Sequence, residues 1–216
     1  MIHLELFSGT KSFSKISSEL GYNVISVDIS NKYSPTIQCN LLDFQYQEIK
    51  WVDLITASPP CNSFSQIGVN VHKQRDPFSM RPLKSSASLG DSLLFKTIEI
   101  IQYFLLINPQ LKFVIENPHG FMWKMPILQF IPRTKTYYSM YESQYEKPTD
   151  FFHNLSQLIL KNNETPGFKE RKNRKNRKRI GYDYTSLSDR YKIPSLLIRD
   201  IFSQIQENSS IAIHFV

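Results

Sequence analysis

Apolar residues along the first half of the chain come in short runs, each closed by a polar or turn-forming cluster. "IHLELF" (2–7) predicts a buried strand, "SGT" a turn, and "KSFSKISSELG" a helix that stops at Gly21. "YNVISVDI" (22–29) predicts a second strand. A strand, turn, helix and strand within about 30 residues is the βαβ unit of a parallel sheet. "TIQCN" (36–40) and "VDLITA" (52–57) predict two more strands. The longest helix is expected over 87–107, where Leu89, Leu93, Leu94, Ile98, Ile101 and Leu105 are spaced to fill one face.

"LKFVIENP" (111–118) predicts a further buried strand whose last residues turn polar. From 126 to 160 the sequence is rich in Pro, Tyr and Thr, with strand-like pieces such as "KTYYSMYE". "SLLIRDIFSQI" (195–205) predicts an amphipathic helix with Pro194 at its start, and "SIAIHFV" a closing strand. The chain shows no internal repeat. In open α/β sheets the strand C-terminal ends line the ligand crevice. Phe7, Asp28, Asn40, Cys61 and Glu116 all sit at or just after such ends and are expected on one edge.

Composition narrows the classes. A length of 216 residues suits one domain with a proper core, or one domain with a small appendage. No apolar run approaches the roughly 20 residues that span a bilayer, and "MIHLELFSG" lacks the basic and apolar segments of a secretory signal. A soluble, intracellular, reducing setting is the expectation. Cys39 and Cys61 form no CxxC pair and the five histidines are scattered, so neither a metal site nor a disulfide is expected.

The net charge of +7 is local. "KERKNRKNRKR" (169–179) holds 8 basic residues, Lys169, Arg171, Lys172, Arg174, Lys175, Arg177, Lys178 and Arg179, against 1 acid, which leaves 18 basic and 18 acidic residues elsewhere. Such a run either contacts a phosphate backbone or is a solvated loop; composition leaves both open.

Three stretches carry candidate chemistry. Phe7-Ser8-Gly9-Thr10 joins a strand to a helix, where backbone N–H groups and a glycine suit a nucleotide-like ligand, although no GxGxxG is present. Asp28 ends the second strand, as a ribose-binding carboxylate or as a structural acid. Cys61 lies in "SPPCNSFS", on a loop stiffened by Pro59 and Pro60, and Glu116 and Asn117 end another strand. A thiolate that attacks a ring and an acid that protonates its nitrogen together suit covalent activation of an aromatic heterocycle.

In this order and spacing, "FSGTKSFS", "SPPCNSFS" and "IENP" resemble the DNA (cytosine-5)-methyltransferase family: its S-adenosylmethionine loop, nucleophile loop and glutamate motif. "RTKTYYSMYE" is similar to its arginine-rich substrate motif, and "KPTDFFHN" and "DRYKIPSLL" resemble segments of its compact phage and viral branch. The resemblance runs over most of residues 2–206. It implies a Rossmann-like S-adenosylmethionine-dependent methyltransferase fold with a mostly parallel central sheet and a very small target-recognition insertion. Residues 1–145 would form the catalytic and cofactor-binding part, 146–189 a reduced basic DNA-contact segment, and 190–216 the return to the catalytic part. S-Adenosylmethionine would lie against Phe7, Ser8, Gly9 and Thr10, with Asp28 on its ribose, Asn40 by its adenine, and Ile29, Leu41 and Pro59 alongside. Cys61 would be the nucleophile on cytosine C6, Glu116 the acid on N3, and Arg133 with Lys135 the cationic support. DNA would be the partner and a monomer the default state.

This chain departs from the family pattern at four points. Lys11 replaces a common glycine, Asn40 a usual aspartate, and Lys135 a second arginine that could form a bidentate fork. Only 54 residues separate Lys135 from Arg190, where typical members insert a large recognition region. The basic run occupies that interval and would bind phosphate with little sequence information. Two other readings stand beside this one: a modifying enzyme acting on free pyrimidine nucleotides, and a DNA-binding homologue with impaired catalysis.

Overall fold

Residues 2–6 alternate strictly between two faces of the sheet: Leu4 and Leu6 enter one apolar layer, while His3 and Glu5 face the other. The structure is a computed structural model that describes residues 1–141, 143, 146–162 and 192–213. Its seven strands are β1 (Ile2–Leu6), β2 (Asn23–Asp28), β3 (Ile37–Gln38), β4 (Leu54–Ala57), β5 (Lys112–Pro118), β6 (Arg133–Tyr137) and β7 (Pro148–His153). Among the described residues, three α-helices accompany them: α1 (Ser12–Glu19), α2 (Ser85–Ile107) and α3 (Ser195–Glu207).

The strand order is β3-β2-β1-β4-β5-β7-β6. Strands β1 to β5 pair in parallel, and β7 runs antiparallel between β5 and β6. The chain therefore moves outward from β1 to β3, then returns to β4 on the other side of β1. That reversal leaves a crevice above the C-terminal ends of β1 and β4. One apolar layer packs α2 onto the sheet through Leu94, Ile98, Ile101 and Phe104 against Leu6, Ile55, Phe113 and Ile115. The other packs α1 and α3 through Phe13, Ile16, Ile201 and Phe202 against Leu54, Val114 and Phe151.

Several expectations need correction. Leu89 does not share the buried face of α2; it is half exposed, and Ala87, Gly90 and Thr97 complete the contact instead. "KTYYSMYE" is a strand only to Tyr137, after which Tyr138–Tyr141 forms a 3₁₀ turn. Pro148–His153 lies beyond residue 145 yet is a sheet strand, paired through Asp150 to Asn117 and Lys135. The closing strand reduces, in its described part, to one bridge between Leu155 and Ser210.

Buried polar groups tie the layers together. His3 bonds Ser17 Oγ (2.8 Å) and Thr56 Oγ1 (2.7 Å), joining β1 to α1 and β4. The Asn154 side chain accepts from Phe113 N and donates to Leu111 O, each at 2.8 Å, and its carbonyl accepts from Ile211 N at 2.7 Å. At the start of α3, Ile193 N donates to Ser12 Oγ at 3.2 Å, which fixes the chain's return onto α1.

Candidate active site

Strand ends β1, β4 and β5 open into one cavity of about 500 Å³, lined by Phe7–Thr10, Pro59–Cys61, Glu116, His119, Tyr138 and Lys147 among others. Phe7 (φ 56°), Gly9 (φ 44°) and Lys11 (φ 58°) all adopt left-handed backbone, so the β1–α1 turn curls tightly around this space. Lys11, where glycine would be unstrained, is held there by its Nζ bond to Ser34 O. Ser8 Oγ is buried without a protein partner, a polar atom left for a ligand.

Asp28 accepts from Gly9 N and Ser30 N, each at 2.8 Å, and so fastens the first two strand ends together. Ile29 beside it is 69% exposed, an apolar surface beside the carboxylate. Asn40 caps the 3₁₀ turn Leu41–Asp43 by accepting from Leu42 N at 3.2 Å. Leu41 is a core residue with 4% exposure, and neither it nor Asn40 lines the cavity.

The loop that carries Cys61 leaves β4 at Ala57. Asn117 Nδ2 donates to Pro59 O at 2.8 Å, so the residue after Glu116 pins the loop that carries Cys61. Farther along, Arg75 is fully buried and clasps the loop by donating to Ser63 O (3.0 Å) and Ser63 Oγ (3.2 Å). The same guanidinium donates to Met80 O and Ala87 O, pairs with Asp91 at 2.6 Å, and stacks 4.2 Å from the Phe64 ring centre. Phe64 O in turn accepts from Phe121 N at 2.7 Å. Gly120 lies so close that a Cβ there would collide with Phe64 O and come within 3.1 Å of Ser65 Cα.

Glu116 is 5% exposed. Its Oε1 accepts from Tyr138 OH at 3.0 Å and lies 3.7 Å from Lys147 Nζ, which leaves Oε2 without a bond among the described residues. Burial pushes the Cys61 thiol up, the Glu116 charge pushes it further, and the Lys147 charge opposes both.

Arg133 and Lys135, expected as the cationic support, do not line the cavity. Arg133 sits 3.7 Å from Asp150 and stacks on Trp123, and Lys135 lies over Tyr137. Two lysines do line the cavity: Lys147, at the entry to β7 and over the Tyr138 ring, and Lys192. Sequence reasoning missed Lys147, along with Tyr138, Arg75 and His119; the only signal was that Lys147 opens "KPTDFFHN". The basic run 169–179 lies outside the described residues.

Solved structures share this architecture. The Entamoeba histolytica methyltransferase EhMeth matches with a TM-score of 0.50 and 16% identity over 71% of this chain and 52% of its own. Spodoptera frugiperda DNMT2, as an E260A/E261A/K263A mutant, matches at 0.45 and 19% over 79% and 53%, and S. pombe Dnmt2 at 0.44 and 14% over 71% and 50%. The fold is that of the Rossmann-like, S-adenosylmethionine-dependent methyltransferases. In this methyltransferase fold the chain spans about half the length of the proteins it matches. No protein-family model and no curated protein matches the sequence. Among the described residues, no cluster of three His, Cys, Asp or Glu could hold a metal ion, and no helix is long and apolar enough to cross a membrane.

Proposed function

We propose that the chain methylates cytosine C5 in DNA, with S-adenosylmethionine as methyl donor and Cys61 as covalent nucleophile. The observation that carries this reading is that Cys61 and Glu116 line one cavity together with the Phe7–Thr10 turn, left-handed at Phe7 and Gly9. The shared fold of a protein named as a methyltransferase supports the reaction class.

The donor fits the residues present. Ser8 Oγ, buried and unpartnered, suits the polar methionine end; Asp28 retains acceptor capacity for ribose hydroxyls, and exposed Ile29 offers an apolar face to a purine. When bound, S-adenosylmethionine supplies an electrophilic methyl group.

The remaining chemistry belongs to the chain. A cytosine extruded from the stack enters the crevice. Cys61 loses its proton and adds to C6, while Glu116, through Oε2, protonates or hydrogen-bonds N3, so that C5 becomes electron-rich. Lys147 takes the supporting role first expected of Arg133 and Lys135, stabilising the thiolate as it forms. Asn117 keeps the sulfur loop and the acid in one frame. The run 169–179 supplies sequence-independent attraction to DNA phosphate.

Bisulfite sequencing of DNA from cells expressing the chain tests the reading and reports any target site. Methylation should appear with the wild type and vanish with Cys61→Ser. Glu116→Gln should lower the methylation rate about 10²–10⁴-fold. Full activity of Cys61→Ser, or no methylation by the wild type in cells or with purified DNA, would defeat the proposal.

A further inference from the structure

After methyl transfer, cytosine C5 carries both a hydrogen and the new methyl group, and the enzyme is released only when that hydrogen leaves as a proton. The groups already assigned are poorly placed to take it. Cys61 is bonded to C6, Glu116 is engaged at N3, and a protonated lysine has no lone pair. Glu5 also lines the cavity, but its carboxyl is bound by Ser14 N and Ser14 Oγ beside the cofactor turn.

We propose that His119 is the base that removes the C5 proton, an assignment that rests on the C5-methylation reading above. His119 follows Glu116 by three residues and lines the same cavity. Its backbone N–H donates to Pro148 O at 2.8 Å, so its position is set by β7. Its Nδ1 lies 2.9 Å and 3.1 Å from the two oxygens of Asp150, whose exposure is only 2%. A buried carboxylate beside Arg133 can only accept, so Nδ1 carries the hydrogen and Nε2 the lone pair. No group among the described residues bonds Nε2. A carboxylate that fixes the tautomer and then faces the imidazolium is the arrangement by which histidine acts as a base elsewhere.

The step balances. The Nε2 lone pair takes the C5 proton, the C–H electron pair forms the C5–C6 double bond, and the C6–S bond breaks to return the Cys61 thiolate. The imidazolium then passes its proton to solvent, with Asp150 holding its charge in the interval.

Loss of this base separates two events that a general structural defect would slow together. The wild-type chain, His119→Gln and Asp150→Asn are incubated with mixed-sequence cytosine DNA and methyl-tritiated S-adenosylmethionine. Denaturing gels report the labelled protein–DNA adduct, and released DNA reports turnover. Both variants should accumulate labelled adduct that the wild type does not, with release slowed about 100-fold or more in His119→Gln and less in Asp150→Asn. Release by His119→Gln within threefold of wild type, or an equal fall in adduct formation and release in both variants, overturns the assignment. Absence of methyl transfer by the wild type instead brings down the methylation reading itself, and this assignment with it.

Discussion

Replacing Arg75 by methionine keeps most of the apolar stem of the side chain but removes its guanidinium, and with it the charge and every donor. Ser63 O and Met80 O then lose a buried partner, and Asp91 loses its ion pair. Ala87 O, inside α2, loses only an additional bond. Removing one member of a buried pair typically costs about 3–5 kcal/mol, and a stranded buried carbonyl about 1–3 kcal/mol. Asp91 is 16% exposed and can reach water, which holds the sum toward the lower end of that range. We expect Arg75→Met to destabilise by about 3–5 kcal/mol, a large part of the 5–15 kcal/mol typical of a domain. Adding Asp91→Leu should recover about 1–2 kcal/mol, because the stranded carboxylate disappears while the carbonyls remain unpaired. Equilibrium urea unfolding followed by far-UV circular dichroism measures both. A loss under about 1 kcal/mol for the single variant, or strictly additive losses in the double, would refute the view of Arg75 as the clasp of the loop that carries Cys61.

Gly120→Ala should leave cofactor binding intact and depress methylation at least tenfold, since the intruding Cβ meets loop backbone that no rotamer change can move; wild-type activity would contradict this. Lys147→Met should raise the Cys61 thiol further, seen as an upward shift in the pH profile of iodoacetamide alkylation; an unmoved profile would show that Lys147 does not act on the sulfur. Stability should rise with pH between 4.5 and 6.5. There the unfolded chain protonates His3 and His153, which burial depresses to about 3 and about 4, while Glu5, raised to about 7, is protonated only when folded. The unfolded state thus binds one proton more, a slope of about 1.4 kcal/mol per pH unit, and Glu5 alone reverses the trend from 6.5 to about 7; urea midpoints that fall from 4.5 to 6.5 would disprove it. Neutralising the basic residues of 169–179 should flatten the salt dependence of DNA binding by about 0.9 log units for each phosphate that the chain no longer neutralises, and an unchanged slope would mean that the run does not touch phosphate.

Strands β1, β4 and β5 were legible because they are buried on both faces and therefore read as apolar runs ending in polar or special residues. Cys61 and Glu116 were legible for the same reason: they stand where such runs stop. Strands β6 and β7 were harder to read. Arg133–Tyr137 is a polar edge strand with little apolar alternation, and Pro148–His153 opens on proline and carries an acid before its phenylalanines. The resemblance of "RTKTYYSMYE" to an arginine-rich motif drew the expected cationic role to Arg133 and Lys135, while Lys147, which lines the cavity, carried no comparable signal. Arg75 was invisible because one arginine in a polar loop has no period. Its meaning arises only where folding surrounds it with carbonyl groups.

The seams at Asn154 and Ile193 have a practical consequence. The chain is packed onto the core through Leu160 and is stitched to it again at Ile193. Doubling the length of such a span adds only about 0.6 kcal/mol of closure entropy. A foreign module spliced into the sequence between Asn162 and Lys192 would therefore cost little in closure, while Cys61, Glu116 and the Phe7–Thr10 turn keep the positions that the sheet gives them.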